Sequence, residues 1–280
     1  MTPAPTLGDV LRRAAEHLGK TSDTARLDAE LLLAHSLGRQ RIELYTDFDR
    51  PLTEAELDGY RSLVARRARR EPVAYILGEW GFRRLSLAVD QRALIPRPET
   101  EIVVEQSLTR LRGLEEPRVL DVGAGSGAIA LAIADEHPGA RVTAIDVSPD
   151  ALALARENVA RTGLDVELCE HDLREGLPAG PWDLVVSNPP YVEQEELSTL
   201  MPDVRDYEPH LALVGAGATE AVARAATTEL APGAWLVLEV GDGQAPAAAA
   251  LLDDLGYREV ATALDLTGRP RVVEGRRDGG

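Results

Sequence analysis

The sequence predicts an α/β fold, in which a Rossmann-like, mostly parallel sheet follows a small helical bundle. Three observations support this prediction. Strand-like apolar runs alternate with helical runs from residue 117 onward. A glycine-rich turn follows the first of these strands, and an acidic residue follows each of the next two. Residues 7–70, in contrast, show helical spacing alone.

Residues 7–70 are predicted to form three helices. Leu7 to Leu18 and Leu27 to Leu37 repeat apolar residues at helical spacing. A third run, Glu54 to Arg70, follows a proline and a threonine that are typical of a helix start. Its basic end, Arg66 to Arg70, suits an acidic protein face or ribosomal RNA. A solvated helix end beside the negative pole of the dipole is the commoner explanation.

Two connecting segments follow the bundle. Phe82 to Val89 alternates weakly and is predicted to be a hairpin. Pro96 to Glu101 leads into a helix near Ile102 to Leu111, and its prolines fix a rigid approach that can line a substrate cleft. Thr100 with Glu101 equally suits helix capping. The predicted boundaries are a helical domain over 1–74, a linker hairpin over 75–92 and an α/β domain over 93–280.

The first strand of the α/β domain, Pro117 to Val122, runs directly into a glycine-rich turn, Gly123-Ala124-Gly125-Ser126-Gly127. Glycines let the backbone approach a ligand without Cβ collisions, and open α/β sheets bind ligands at this end of their strands. Asp121 precedes the turn, and Asp146 ends the second strand, Arg141 to Ile145. Asp146 is therefore placed to accept both hydroxyls of a ribose.

The spacing of the turn favours S-adenosylmethionine over a nicotinamide dinucleotide. A dinucleotide site uses G-x-G-x-x-G, whereas here the third glycine comes one residue earlier. Asp121 would repel a pyrophosphate but suits the cationic amino and sulfonium groups. A third strand, Val166 to His171, leads to Asp172 and Leu173, which are expected to accept from the adenine amine and to pack on its ring.

The run Asn188-Pro189-Pro190-Tyr191 follows the strand Trp182 to Ser187. Proline has no N–H and a fixed φ, so the run predicts a stiff loop with free carbonyls. The Asn188 side-chain oxygen and the Pro189 carbonyl can accept the two N–H bonds of a planar amide or amine, and Tyr191 supplies a flat face. The simpler interpretation is that the prolines merely end the strand.

The remaining chain completes the predicted sheet. The polar, proline-punctuated stretch after Tyr191, up to Pro209, is predicted to be a mobile flap. Ala234 to Val240, Tyr257 to Leu264 and Arg271 to Glu274 are the last three strands. With the earlier four they predict a seven-stranded sheet that ends in a hairpin-like pair.

Taken together, the motifs resemble the HemK/PrmC release factor glutamine methyltransferases over most of the chain. The resemblance rests on Tyr75 to Phe82, Leu94 to Glu101, Asp121 to Gly127, Ser187 to Tyr191, Val204 to Pro209 and Leu238 to Gly241. It implies a class I S-adenosylmethionine-dependent methyltransferase. Such an enzyme methylates the side-chain amide of the Gly-Gly-Gln glutamine in peptide chain release factors 1 and 2 and leaves S-adenosylhomocysteine.

The resemblance also implies roles for individual residues. Asn188, Pro189 and Tyr191 are the expected catalytic residues, and Asn188 also belongs to the cofactor site. Pro190, Arg97 and Pro98 are expected to bind substrate with them. The other expected cofactor-binding residues are Asp121, Gly123, Ala124, Gly125, Ser126, Gly127, Asp146, Asp172 and Leu173. The bundle over 1–74 is expected to dock the release factor.

One departure from the family pattern leaves a second hypothesis open. After Leu213-Val214-Gly215, where the family continues Gly-Gly-x-Asp-Gly-Leu, this chain has Ala216 to Ala221 with a different sequence. A paralogue that methylates an amide, guanidine or amine nitrogen of a small metabolite would suit that change. The retained bundle argues against it. The intact Asp121, Asp146 and Asn188 argue against a non-catalytic binding protein.

Composition narrows the partners. Residues 1–85 hold 14 Lys and Arg against 13 Asp and Glu, and the remainder holds 16 against 34, a net of −18. So acidic a domain disfavours stable nucleic acid binding and suits a basic protein partner. The single cysteine excludes a disulfide framework, and neither it nor His171 has metal-ligand spacing. The amino terminus, Met1 to Pro5, lacks a leader pattern and no membrane-length apolar run occurs, so we expect a cytoplasmic enzyme. We also expect a monomer, and an enzyme without a metal.

Overall fold

The computed structural model describes residues 4–279, which form two compact units. The first unit contains the described residues up to Glu79 together with Met201–Tyr207. The second contains Trp80–Leu200 and the described residues from Glu208 onward. Residues 1–3 and 280 lie outside the described residues, and with them most of the amino-terminal segment that was expected to lack a leader.

The first unit is helical, as predicted. Its helices are α1 (Leu7–Leu18), α2 (Ala25–Ser36), α3 (Glu54–Ala68) and α4 (Val73–Leu77), with a 3-10 turn at Arg41–Tyr45. Thr6 and Thr53 begin α1 and α3 as capping boxes, each accepting the N–H three residues on while that residue's carboxylate reaches back. The C-cap residue of α2 is Leu37.

A buried arginine organises this unit. Arg67 is within 2.7 Å of Asp28 and of Asp203, and all three side chains are largely inaccessible. Residues 201–207 therefore pack with the helical unit, although the sequence predicted them within the α/β domain, because a buried guanidinium is stable only when paired. Tyr207 strengthens this attachment by donating its hydroxyl to the Arg69 carbonyl at 2.8 Å.

The basic end of α3 is occupied by contacts inside its own unit. Arg66 makes two hydrogen bonds to Glu71, and Arg70 lies 3.4 Å from Asp203. The expectation of a solvated cluster is therefore wrong for Arg67, which is buried, whereas Arg66 is partly exposed and paired with Glu71. Their positions in the sequence, at a helix end, gave no sign of these partners.

A hairpin and a seven-stranded sheet follow. The hairpin pairs β1 (Glu79–Phe82) with β2 (Leu85–Ala88). The sheet consists of β3 (Arg118–Val122), β4 (Arg141–Asp146), β5 (Val166–Glu170), β6 (Trp182–Ser187), β7 (Leu230–Glu239), β8 (Arg258–Leu264) and β9 (Pro270–Arg276). Their order is β5-β4-β3-β6-β7-β9-β8. The first five are parallel and β9 is antiparallel to both neighbours, which confirms the predicted sheet.

Helices cover the sheet on both faces. They are α5 (Thr100–Arg110), α6 (Ala128–Glu136), α7 (Pro149–Thr162), α10 (Ala218–Glu229) and α11 (Ala245–Asp254). Two short helices lie between β6 and β7 in the chain: α8 (Pro202–Tyr207), which packs in the first unit, and α9 (His210–Leu213). Two apolar clusters form the core, one including α6 and the other including α10 and α11. Parallel strands buried on both faces explain why β3 and β6 are nearly continuous apolar runs.

The chain reverses its direction across the sheet between β3 and β6. From β3 it proceeds outward through β4 and β5, then returns to form β6 on the other side. Val122 and Ser187 end these two strands as register partners, and the Ser187 hydroxyl donates to the Val122 carbonyl at 2.6 Å. The loops after β3 and β6 thus begin side by side at a topological switch point, where open α/β sheets bind ligands.

The stretch predicted as a flap contains short helical turns. Glu196–Thr199 is a 3-10 turn and α8 follows it. Val192 pairs with Val214 through an isolated bridge, and Glu208 is buried. The mobility of this stretch stays a prediction. Within residues 4–279, no helix combines the length and apolar character needed to span a bilayer.

Candidate active site

A cavity of about 270 Å³ opens at the carboxyl ends of four adjacent parallel strands of the second unit. Each strand contributes its following loop to the wall: Gly123–Ser126 after β3, Asp146–Ser148 after β4, His171–Leu173 after β5 and Asn188–Pro190 after β6. The lining also includes residues 92–97, Thr100, parts of α6 and α7, and parts of 209–222. The switch point between β3 and β6 therefore borders this cavity.

The glycine-rich turn is held against β4 by its own amides. Gly123 N and Ala124 N both donate to the Ile145 carbonyl at 2.8 Å. Gly123 has a φ of +84° and Gly127 a φ of +82°, a conformation that only glycine adopts without strain. The first four residues of the turn, Gly123 to Ser126, line the cavity. Gly127 does not line it and is the N-cap residue of α6.

Asp121 lies beneath the turn and is fully buried. Its Oδ2 accepts the Ala130 N–H of α6 at 3.1 Å, and its Oδ1 has no hydrogen-bond partner in the described chain. Burial raises the pKa of Asp121 to about 8. Asp121 is absent from the described residues that line the cavity. In this structure it supports the start of α6, and its contact with a cofactor stays a prediction.

Asp146 lies at the end of β4 and joins two loops. Its Oδ2 accepts the Gly125 N–H at 2.8 Å, and its Oδ1 accepts the Ser148 N–H at 2.9 Å. A carboxylate has about four acceptor sites, so both oxygens retain capacity for a diol. Asp146 lines the cavity and thus combines loop positioning with an available acceptor surface.

Asp172 and Leu173 line the cavity at the end of β5. Arg174 donates to both oxygens of Asp172 and holds its pKa at about 2. His171 lines the same wall, with Nε2 2.9 Å from the Gly176 carbonyl. No cluster of His, Cys, Asp and Glu with metal-binding geometry occurs among residues 4–279.

Asn188 and Pro189 present two acceptors at the cavity wall. The Asn188 Nδ2 donates to Thr100 Oγ1 at 3.2 Å, and that hydroxyl donates to Glu239 Oε2 at 2.6 Å. Asn188 Oδ1 and the Pro189 carbonyl accept no hydrogen bond from residues 4–279. Burial raises the pKa of Glu239 to about 7. The amide of Asn188 is thus held on its donor side and free on its acceptor side.

Four other predicted residues, Tyr191, Pro98, Arg97 and Pro190, differ in whether they line the cavity. The Tyr191 ring lies against Gly241, where an added Cβ would be 2.9 Å from Tyr191 Cδ2. Neither Tyr191 nor Pro98 is among the described lining residues, so their roles stay predictions. Arg97 and Pro190 do line the cavity, and Arg97 donates to the buried Glu208 carboxylate at 2.5 Å.

Comparisons with known proteins agree with this geometry. Residues 9–78 match the PrmC N-terminal domain and residues 100–205 match the methyltransferase small domain. A release factor glutamine methyltransferase of Geobacter sulfurreducens is 44% identical over 261 residues, which cover 92% of this chain and 91% of that protein. Its counterpart in Deinococcus radiodurans is 42% identical over 280 residues, covering 98% and 99%. The chain belongs to the release factor glutamine methyltransferase family.

The predicted family and fold are thereby confirmed. A solved 16S rRNA methyltransferase of T. thermophilus, in complex with AdoMet and guanosine, is 18% identical and superposes with a TM-score of 0.52 over 71% of this chain and 49% of that one. At that identity the likeness concerns the fold alone. The fold is the class I methyltransferase sheet that the strand order shows.

Sequence reasoning missed part of the site of this family member. Helix capping was one of two roles considered for the segment that contains Thr100, but its hydroxyl contacts Asn188 and Glu239 instead. Glu239 received no individual role, although both residues stand inside motifs that carried the family resemblance. The wall over 209–222 was also missed: Ala216 to Ala221 was recognised only as a departure from the family pattern, whereas Ala218 lines the cavity. These contacts join residues more than 80 positions apart, which no local pattern indicates.

Proposed function

We propose that this protein transfers a methyl group from S-adenosylmethionine to the side-chain amide nitrogen of the Gly-Gly-Gln glutamine in release factors 1 and 2. The observation that carries the proposal is the pair of free acceptors, Asn188 Oδ1 and the Pro189 carbonyl, at the cavity wall. A primary amide has two N–H donors, so it can satisfy both. Its nitrogen is then held in one orientation.

The lining of the cavity fits an adenosyl cofactor. Asp146 offers carboxylate acceptors to a ribose, the glycine turn exposes backbone without side chains, and Leu173 supplies an apolar surface for a base. When bound, S-adenosylmethionine supplies an electrophilic methyl group. The loops after β3 and β6 begin as register neighbours, so the chain presents the expected cofactor and amide positions side by side.

The protein's own contribution is positioning. An amide nitrogen is a weak nucleophile because its lone pair is delocalised into the carbonyl. Two acceptors on the N–H bonds fix the rotation of the amide and favour electron density on nitrogen, and alignment of this kind supplies a large part of many rate enhancements. Pro189 and Pro190 restrict the loop, so little reorganisation is needed when the amide arrives.

We further propose that the enzyme acts in the cytoplasm as a single chain, with the helical unit docking the release factor. The relatives over nearly the whole chain are release factor glutamine methyltransferases, and the PrmC N-terminal domain is retained. A small metabolite would not need such a domain. This supports a protein substrate over the alternative of a small-molecule nitrogen.

The proposal is tested by mass spectrometry of unmethylated release factors 1 and 2 incubated with the enzyme and S-adenosylmethionine. We expect one added methyl group, located on the glutamine of Gly-Gly-Gln by peptide fragmentation. Release factors with alanine in place of that glutamine serve as the control and should stay unmodified. Cofactor binding without any methylation of either factor would overturn the proposal and favour a small-molecule substrate.

A further inference from the structure

We infer that Thr100 and Glu239 act as positioning residues that lock the side-chain amide of Asn188 with its oxygen available to the substrate. The inference rests on the proposed function and identifies what orients its central residue. Three side chains from separate parts of the chain form a continuous hydrogen-bonded line. Asn188 Nδ2 donates to Thr100 Oγ1 at 3.2 Å, and Thr100 Oγ1 donates to Glu239 Oε2 at 2.6 Å.

The direction of the hydrogen bonds follows from the number of protons. A threonine hydroxyl has one proton and two lone pairs. An ionised Glu239 can only accept, so the Thr100 proton is committed to it. The hydroxyl then faces Asn188 with lone pairs alone, and only the NH₂ side of the Asn188 amide can bond there. A rotated amide would set Oδ1 against the hydroxyl oxygen and lose this hydrogen bond.

Two of the three residues in this hydrogen-bonded line, Thr100 and Glu239, are shielded from water. Thr100 and Glu239 are buried, with exposed fractions of 4% and 2%, and Asn188 is half-buried at the cavity wall. Water cannot readily replace the Thr100 hydroxyl as the partner of Glu239, and hydrogen bonds to buried charged groups are stronger than exposed ones. The orientation imposed on Asn188 is therefore stable in the form that leaves Oδ1 free.

The lock depends on the ionisation of Glu239. Once protonated, Glu239 can donate to Thr100 Oγ1. The Thr100 hydroxyl can then either accept from Asn188 Nδ2, as before, or donate its own proton to Oδ1 of a rotated Asn188 amide. The charged and titratable groups around Glu239 are Glu99 before α5, Arg97, Arg271 on β9 and Tyr191. Burial and Glu99 favour the protonated form, whereas Thr100 and the two arginines favour the ionised form. We therefore expect amide orientation and turnover to improve as pH rises through about 7.

The first test measures the lock without any reaction. The side-chain NH₂ resonances of Asn188 are assigned in ¹⁵N NMR spectra by their loss in Asn188→Ala. We expect them to shift between pH 6 and pH 8 with a midpoint near 7, and to lose this titration in Glu239→Gln. Resonances that ignore both the pH and the substitution would overturn the inference. This readout stands even if no release factor is methylated, so it is separate from the test of the proposed function.

The second test uses turnover of a release factor. Thr100→Val keeps the shape of the side chain but removes the hydroxyl, and we expect kcat to fall about 10- to 100-fold while the Kd of S-adenosylmethionine changes less than about threefold. Thr100→Ser restores the hydroxyl and should recover most of kcat. Thr109→Val, on the same helix, is the matched control and should behave as wild type. Wild-type kcat in Thr100→Val, or a serine variant as impaired as the valine variant, would overturn the inference.

Discussion

Asp146 illustrates how a single carboxylate serves both the fold and the site. Its oxygens hold the amides of Gly125 and Ser148 at 2.8 and 2.9 Å, and their remaining acceptor sites face a cavity that suits a ribose. Hydrogen bonds to a charged group are worth about 1.5–3 kcal/mol each. The same residue therefore holds the glycine turn, and in the function proposed above it also binds the cofactor.

We expect Asp146→Ala to weaken binding of S-adenosylmethionine and S-adenosylhomocysteine by the same factor, about 10- to 100-fold. The ribose is common to both ligands, so a contact with it does not distinguish them. Isothermal titration calorimetry measures both affinities. A loss confined to S-adenosylmethionine would instead indicate that Asp146 responds to the sulfonium charge.

Asn188→Ala should have the opposite kinetic signature. The proposed function assigns its free Oδ1 to the substrate amide, so we expect kcat to fall about 10²- to 10³-fold with a much smaller change in cofactor affinity. Single-turnover methylation of a release factor, followed by mass spectrometry, gives the rate. Equal losses of rate and of cofactor affinity would contradict the assigned role.

At the scale of elements, the loop after β6 is fixed by its neighbours as much as by its prolines. A Cβ on Gly215 would lie 2.4–2.8 Å from Pro190 atoms, one of them the backbone carbonyl, whereas ordinary contacts begin near 3.4 Å. Gly215, just after the end of α9, thus packs directly on the loop that contains Asn188. This close approach is available only to glycine.

Gly215→Ala should therefore displace Pro190 and lower kcat by about 10²-fold, the loss typical of a misplacement near 1 Å. Gly81→Ala is the matched control, because a Cβ at Gly81 meets no atom of the described chain within 4 Å. Turnover assays with both variants check the prediction. Comparable activity in the two would show that the loop adjusts without consequence.

The buried ion pair between Arg67 on α3 and Asp28 leads to a separate prediction about stability. Replacing it by alanine leaves the buried Asp28 without its ion pair, and such uncompensated charges cost about 3–5 kcal/mol. Arg61, on the same helix and 64% exposed, should cost less than about 1 kcal/mol when replaced in the same way. Urea unfolding of the two variants measures the difference. Similar midpoints would mean that the buried cluster contributes little.

The sequence predicted elements best where local pattern and tertiary environment agree. The strand Trp182–Ser187 was predicted residue for residue because apolar β-branched residues occupy a strand buried on both faces. β7 begins four residues before the predicted Ala234, since Pro232 and Gly233 suggest a turn although the strand continues through them. The packing of 201–207 was missed because the pair Arg67–Asp203 joins residues 136 positions apart.

In the site, too, local sequence predicted some features and tertiary contacts determined the others. Motifs placed Gly123, Asp146 and Asn188 correctly at the ends of parallel strands, since topology brings such ends together. They could not reveal that Asp121 lies beneath the turn or that Thr100 faces Glu239, because depth and partner depend on packing between distant segments. Local sequence thus identified the loops, and tertiary structure decided which atoms in them are available.

Across the whole molecule, charge is distributed unevenly along the chain. Residues 1–85 are nearly neutral, whereas the remainder has a net charge of −18. A surface of one sign raises the encounter rate with a partner of the opposite sign, and salt screens this effect. The distribution therefore predicts that association with a basic protein substrate, and not chemistry, responds to ionic strength.

We expect kcat/KM for a release factor to fall about tenfold between roughly 0.05 and 0.5 M NaCl, with kcat nearly constant, because salt screens surface charges over about 10 Å or less. The Kd of S-adenosylmethionine, measured at the same salt concentrations, is the control and should change little. A kcat/KM independent of salt would mean that the acidic surface has no part in recognition.

The paired acceptors that we propose at Asn188 and Pro189 would also limit the number of methyl groups that can be added. A primary amide fills both, but once one hydrogen has been exchanged for carbon only a single N–H remains. The product leaves one acceptor unpaired at a cost of about 1–3 kcal/mol. Its new methyl group takes the place of the lost hydrogen and so collides with the oxygen that this hydrogen had bonded. We therefore expect the modified glutamine to depart after a single methylation, with no separate proofreading step.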